Sequence, residues 1–137
     1  MKLLDEFTTF LAEHGVSLTE LSRQDSFAIA KQWTSVFARQ SDGLQETQGL
    51  KAISKWLSTT DDEMVLLFLS ARITAFPISD NNRPCLAYKY TGPVVDLSSY
   101  HELEFAVFPG SYRWTLVHTH EDGASGGPYF IRNDAAT

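Results

Sequence analysis

The chain has 137 residues, of which 43% are hydrophobic and 20% are charged, a composition typical of a single globular domain with a sizeable core. Its formal net charge is -6 at pH 7 and its eleven Lys and Arg residues are scattered, which disfavours nucleic acid and anionic membranes and favours a basic protein as partner. The single cysteine, Cys85, excludes an intramolecular disulfide. No apolar run is long enough to span a membrane, and no export signal is evident, so we expect a cytoplasmic protein.

The first forty residues carry the pattern of two amphipathic helices separated by a short strand. Gly15 stands where the first helix needs a left-handed C-terminal cap, and residues 16–18 alternate in polarity as a strand does. Asp25 is the expected cap of the second helix, and the Ser-Asp-Gly of residues 41–43 its end. The residues expected to be buried are Leu3, Leu4, Phe7, Phe10 and Leu11 in the first helix and Phe27, Ala30, Trp33 and Phe37 in the second.

A third helix is predicted after Thr47, whose hydroxyl suits an N-cap, and Leu50, Ile53 and Leu57 are expected to face the core. The Thr-Asp-Asp-Glu of residues 60–63 has the spacing of a capping box, which predicts a fourth helix whose N-terminus the acidic run supports. The run that follows, residues 64–73, is apolar on several faces. A buried strand is therefore the alternative for residues 62–75.

From residue 80 the sequence changes to short alternating segments that predict an antiparallel sheet. A turn is expected at residues 80–82, a strand at 85–90, and a hairpin around Pro109-Gly110. With those two residues at the centre of the turn, Phe105 faces Trp114 and His101 faces His118. The predicted fold is one α+β domain spanning residues 1–137, with N-terminal helices packed on a mostly antiparallel C-terminal sheet. The core face of the hairpin is expected to carry Leu103, Phe105, Val107, Tyr112, Trp114 and Leu116.

Three histidines, His101, His118 and His120, fall together at the far end of this predicted hairpin. The favoured interpretation is structural: they close the end of the sheet through hydrogen bonds to backbone groups and to Tyr100 or Asp122. The alternative is a zinc or other divalent metal site with Glu121 or Asp122 nearby as ligand or general base, in a small metal-binding protein or hydrolase. Spacing alone is weak evidence for a metal.

The sequence near these histidines matches parts of two catalytic motifs but lacks other residues or elements that each motif requires. His118-x-His120-x-Asp122 copies part of the metallo-β-lactamase signature, yet no histidine follows downstream. The Gly-Ala-Ser-Gly-Gly of residues 123–127 matches a nucleophile elbow, yet it precedes a strand-like segment where that motif requires a helix. We therefore expect no cofactor, and an enzyme is disfavoured.

The segment from Trp114 through Glu121, followed by Gly127-Pro128-Tyr129-Phe130, resembles the closing motif of a family of small bacterial proteins catalogued as domain of unknown function 4275. Residues 25–37 are similar to an early helix of that family. The resemblance implies no activity. It implies a structural motif in which the Trp anchors the core, the polar residues fix a loop and Pro-Tyr-Phe docks the last strand. The family pattern requires the residues aligned with His120 and Glu121 but not His118, which disfavours a shared metal site.

The leading functional hypothesis is a non-enzymatic protein-binding domain, an immunity or antitoxin-like protein that covers a basic toxin. The metal-binding alternative uses His101, His118 and His120. A third possibility is a small-molecule pocket between helices and sheet, rimmed by Tyr88, Tyr90 and Trp114. The candidate binding residues are His118, His120, Glu121, Asp122, Tyr129 and the acidic run Asp61, Asp62 and Glu63.

Overall fold

The computed structural model describes residues 2–38, 43–61, 63–69 and 87–134. A 3₁₀ segment, Ser98–Leu103, lies between the fourth and fifth strands. The helices are α1 (Lys2–Glu13), α2 (Arg23–Phe37), α3 (Leu50–Leu57) and α4 (Asp122–Ser125). The strands are β1 (Ser17–Glu20), β2 (Leu44–Gln48), β3 (Glu63–Phe68), β4 (Ala87–Thr91), β5 (Phe105–Pro109), β6 (Trp114–His118) and β7 (Tyr129–Asn133).

The described strands form one sheet in the order β1-β4-β3-β5-β6-β7-β2. Every described pairing in it is antiparallel. The first two strands in the chain, β1 and β2, occupy the two edges, and β3 lies in the interior with the strands from the second half. The α+β class and the antiparallel sheet are confirmed.

Helices cover both faces of the sheet. On one face α1 and α3 contribute Phe7 and Trp56 to a core that includes Phe105 and Leu116. On the other face α2 packs against a second core that includes Phe108. Successive residues of β5 alternate between the two cores, so all five are buried. N-terminal helices packed on the sheet are thus confirmed, and the structure adds that they lie on opposite sides of it.

The start of the chain folds as the sequence predicts. Gly15 follows α1 with a φ of 79°, the left-handed conformation expected of a C-terminal cap, and β1 begins at Ser17. Gly92 lies directly against this cap. A Cβ atom at Gly92 would be 2.6 Å from the carbonyl oxygen of Gly15 and 2.9 Å from the Cα of Val16.

The predicted cap of α2 is wrong by three residues. Ser22 is the N-cap, and its hydroxyl accepts a hydrogen bond from the Asp25 amide at 3.0 Å, so Asp25 already belongs to the first turn. The buried stripe begins at Ser26, whereas Phe27 is 54% exposed beneath the guanidinium of Arg23. Phe37 is buried as predicted and ends the helix. The expected end residues Ser41 and Asp42 lie outside the described residues, as does Cys85.

The predicted face of α3 is also wrong. Thr47 belongs to β2, and the helix starts after Gly49. Ala52 and Trp56 are buried, while Leu50 is 84% exposed and Leu57 is 44% exposed. The large indole of Trp56 determines this orientation, because it donates a hydrogen bond to the Val95 carbonyl at 2.6 Å and its ring contacts Trp114.

The segment after residue 62 is a strand, so the fourth helix predicted from the capping box is wrong there. Met64, Leu66, Leu67 and Phe68 are buried because β3 lies between β4 and β5 with helices over both faces. The sequence of a central strand that is covered on both faces is typically a continuous apolar run. Residues 70–75 and the predicted turn at 80–82 lie outside the described residues. The described part of the strand expected at 85–90 is observed as β4, Ala87–Thr91, and residues 85 and 86 lie outside the described residues.

The hairpin has a different register from the predicted one. Phe105 pairs with His118 instead of Trp114, a displacement of four residues along β6. The cause is a longer loop: Pro109 ends β5, the Tyr112 amide donates to the Pro109 carbonyl, and β6 begins at Trp114. Because the displacement is even, Phe105 and Trp114 keep their predicted face. Tyr112 instead packs against the second core, and His101 lies in the 3₁₀ segment, where it does not face His118.

We expect Gly92→Ala to lower the free energy of unfolding by about 2 kcal/mol, because a methyl group would collide with backbone and the residue has a φ of 141°. The measurement is urea denaturation followed by circular dichroism. Gly110→Ala is the matched control, since nothing lies within 4 Å of a Cβ there, and it should change stability by less than about 0.5 kcal/mol. Equal unfolding midpoints for the two variants would contradict the observed packing.

Candidate functional site

The histidine-rich segment joins the end of β6 to β7. His118 is the last residue of β6, and Thr119, His120 and Glu121 lead into the single turn of α4. Gly126 then adopts a φ of 88°, and β7 begins at Tyr129. The 3₁₀ segment packs beside this loop. The histidine cluster, defined here as His101, His118 and His120, therefore comes from two segments that meet at one end of the sheet.

His118 and Asp122 form a buried pair. The side chain of His118 is 1% exposed, and its Nδ1 lies 2.8 Å from Oδ2 of Asp122. The other carboxylate oxygen accepts hydrogen bonds from the Thr119 amide at 2.9 Å and from the Thr119 hydroxyl at 3.2 Å. The imidazole also contacts the ring of Phe105, with centroids 5.3 Å apart. Both oxygens of Asp122 are thus occupied in holding the loop after β6.

The pKa of Asp122 reflects two opposing influences. Burial raises the pKa of this carboxyl group, but the hydrogen bonds from His118 and Thr119 and the charge of His118 lower it by more. The net result is a pKa below the usual value. Asp122 is therefore ionised at neutral pH and stabilises the folded state as a carboxylate.

The other two histidines fasten the 3₁₀ segment to the same loop. Nδ1 of His101 donates to the Thr119 carbonyl at 2.9 Å. Nδ1 of His120 bonds to the carboxylate of Glu104, the residue that follows the 3₁₀ segment, and its Nε2 lies 3.5 Å from Glu121. Two of the hydrogen bonds expected of the histidines are present, one between His118 and Asp122 and one from His101 to a backbone carbonyl. Tyr100 instead packs its ring against Phe10.

The alternative metal site is not formed by these side chains. Each of the three histidines directs its Nδ1 to a different acceptor. Within residues 2–38, 43–61, 63–69 and 87–134, no group of three or more His, Cys, Asp or Glu side chains is arranged to hold a metal ion. The structure does not bring His101, His118 and His120 together as a ligand set.

The acidic run lies away from the histidine cluster. Asp61 accepts a hydrogen bond from Nε1 of Trp114 at 2.8 Å, so it sits at the opposite end of β6 from His118. Glu63 forms an ion pair with Lys89 at 3.0 Å. Asp62 lies outside the described residues. Tyr129 donates its hydroxyl hydrogen to Ser125. The predicted binding residues therefore lie in two separate regions of the molecule, and two of them, His118 and Asp122, are buried and not available to a partner.

The aromatic residues suggested as the rim of a pocket belong to the core. Tyr88 and Tyr90 are fully buried and Trp114 is nearly so. The hydroxyl of Tyr90 donates to the Pro93 carbonyl at 2.8 Å, and burial raises the pKa of this phenol. The idea of a pocket between these three rings is wrong, because they are packed against neighbouring side chains.

A groove that the sequence did not suggest runs along α1. It is open to solvent, has a volume of about 440 Å³ and is lined by Asp5, Glu6, Thr9, Phe10, Glu13 and Tyr100. The five lining residues that belong to α1 are spaced so that the sequence alone could place them on one strip of that helix. The contribution of Tyr100 was not, because the 3₁₀ segment is almost ninety residues away in the chain. We call this feature the α1 groove.

Asp122→Asn should lower the free energy of unfolding by about 2 kcal/mol at pH 7, because a buried charged hydrogen bond is lost. Since the pKa of Asp122 is lowered in the folded state, its contribution is full above the usual carboxyl pKa and disappears as the pH falls through the lowered value. The difference between wild type and variant should therefore shrink below pH ~4. Chemical denaturation across pH measures this, with the exposed Glu121→Gln as control. Equal losses in both variants at pH 7 would contradict the assigned role.

Comparison with profiles of known protein families, with curated proteins and with solved structures gives no match to this chain. The family suggested by the closing motif stays a prediction. The structural roles expected of that motif can be compared with the structure directly. Trp114 lies in the core, Thr119 of the motif is held in the loop by hydrogen bonds to Asp122, a residue outside the motif, and Tyr129 begins the last described strand.

Proposed function

We propose that this chain is a protein-binding domain that acts by covering a basic partner, in the manner of a bacterial immunity or antitoxin protein. The observation that carries the proposal is the excess of negative charge, a formal -6 at pH 7, presented on the surface of a folded domain. Such a surface attracts a positively charged protein, speeds its association and disfavours partners of the same sign. Neither nucleic acid nor membrane is part of this proposal.

The acidic surface is largely uncompensated by neighbouring cations. Between Lys or Arg side chains and carboxylates of the described ranges, the ion pairs are Lys89 with Glu63 and Arg132 with Asp134. Exposed carboxylates on other elements remain open to solvent, among them Asp5, Glu6, Glu13, Glu46 and Glu102. Charges of one sign that are not neutralised within the domain are available to an incoming partner.

The scaffold beneath these charges supports binding without rearrangement. The sheet is covered on both faces, and its central strand β5 is wholly buried. A rigid surface loses little conformational entropy when a partner docks. Exposed apolar side chains, including Phe27 and Leu50, offer additional contact area between the charged residues. None of the described helices combines the length and apolar character needed to cross a membrane. The proposal keeps the cytoplasmic location expected from the sequence.

The proposal is tested by capturing partners with the tagged domain from cells that naturally express it, using cross-linking. The captured protein is then purified and its association rate is measured by stopped flow. We expect a basic partner whose association slows about tenfold or more between low and high salt, because exposed charges are screened.

The variant Lys31→Gln with Lys51→Gln makes the domain more negative and should speed association at low salt. An acidic partner would contradict the proposal. An association rate indifferent to salt and to this double variant would do so as well.

A further inference from the structure

The α1 groove combines negative charge with aromatic rings. Positions 5, 6, 9 and 13 follow one strip of α1, where residues three and four apart are neighbours. Phe10 and Tyr100 supply rings to the lining, and the groove, which is open to solvent, has a volume of about 440 Å³. Three carboxylates, those of Asp5, Glu6 and Glu13, border these rings. A groove of this composition can contact both the charge and the flat face of a bound group.

The rings are held in place by the core beneath them. Phe10 and Tyr100 lie with centroids 5.2 Å apart, and Tyr100 also contacts Phe7 at 5.1 Å. Phe7 is fully buried and stacks on Phe105 of β5 at 5.3 Å. The aromatic part of the groove is therefore continuous with the first core. A ligand that stacks on it meets rings that are already oriented.

The carboxylates of the groove are open to a partner. Asp5, Glu6 and Glu13 are exposed, and no hydrogen bond or ion pair joins their side chains to another residue of the described part. The last turn of α1 contains no basic residue. Glu13 lies near the C-terminus of the helix, where the partial charge of the backbone is also negative. The three carboxylates thus make the groove acidic, and at Glu13 the backbone adds charge of the same sign.

We propose that the α1 groove is the docking site for a basic segment of the partner protein, and that it receives an arginine or lysine side chain of that segment. This inference rests on the function proposed above and names the surface that performs it. Charge complementarity selects the occupant: the carboxylates pair with the cation, while the face of Phe10 or Tyr100 attracts it through a cation–π contact. A guanidinium satisfies both requirements at once, because it is planar, always charged and weakly hydrated.

The direct test uses a short blocked peptide of alternating glycine and arginine, titrated into the isotopically labelled full chain and followed by NMR. We expect the largest shifts at the amides of residues 5–13 and at Tyr100. The same peptide with citrulline in place of arginine keeps the shape and hydrogen bonds but lacks the charge, and it should cause no comparable shifts. Shifts spread evenly over the acidic surface would overturn the assignment.

A charge-matched pair of variants separates the groove from overall charge. Glu6→Gln with Glu13→Gln should weaken peptide binding about fivefold, since each exposed ion pair contributes modestly. Glu20→Gln with Glu46→Gln removes the same net charge from the edge strands β1 and β2 and should leave the affinity nearly unchanged. Equal weakening in both variants would overturn the proposal. Thermal unfolding verifies that both variants are folded.

Tyr100→Leu examines the aromatic contribution, and we expect weaker binding with the pattern of shifts confined to the same helix. Unchanged affinity in this variant, with an intact fold, would overturn the cation–π role. Tetramethylammonium ion is the small-molecule probe. If it reproduced the peptide's shifts at the same concentration, the groove would be a site for small organic cations and the assignment to a protein segment would be wrong.

The captured partner distinguishes failure of this inference from failure of the proposed function. If a basic partner binds the variant with Glu6→Gln and Glu13→Gln as tightly as it binds the wild type, the docking site is wrong and the function stands. If no basic partner is captured, the proposed function is wrong, whether or not the arginine peptide binds the groove. Loss of partner binding in this variant, but not in the matched control, supports both.

Discussion

The architecture depends on the burial of β5 between two layers of helices. Because its side chains alternate between the cores, Phe105 meets α1 on one face and Phe108 meets the second core on the other. Phe105 stacks on Phe7 and contacts the imidazole of His118. One aromatic ring in a central strand thus fixes the position of α1 and borders the histidine cluster. The α1 groove and the histidine cluster are therefore both connected to this strand.

The 3₁₀ segment connects the two regions that rest on β5. Tyr100 packs against α1 and lines the α1 groove, while His101, the next residue, bonds to the loop after β6. Glu104 then binds His120. The histidine cluster therefore holds in place the segment that supplies Tyr100. In this arrangement the buried pair of His118 and Asp122 acts as a support, and the exposed carboxylates of α1 face solvent where a partner can reach them.

The sequence pattern predicted correctly which face of the sheet the hairpin residues occupy, but it did not predict the length of the loop between β5 and β6. Alternation placed Phe105 and Trp114 on the correct face, since the hairpin register moved by an even number of residues. The predicted and observed registers differ because a turn that contains Pro109 is compatible with several loop lengths. In α3 the apolar pattern fits two faces, and the hydrogen bond of Trp56 to Val95 decides between them. The α1 groove could not be predicted, because it joins α1 to a distant tyrosine.

The acidic residues of α1 lie at both ends of the helix, where the helix dipole affects them in opposite ways. Glu13 lies at the negative end of the helix dipole, and the last turn of α1 contains no basic residue. By contrast, Asp5 stands in the first turn, where a carboxylate is favourable. A cation bound beside Glu13 meets negative charge from both the side chain and the end of the helix. Under the proposed function, partner binding and the stability of α1 are then linked, because any group that neutralises Glu13 binds the folded helix and not the unfolded chain.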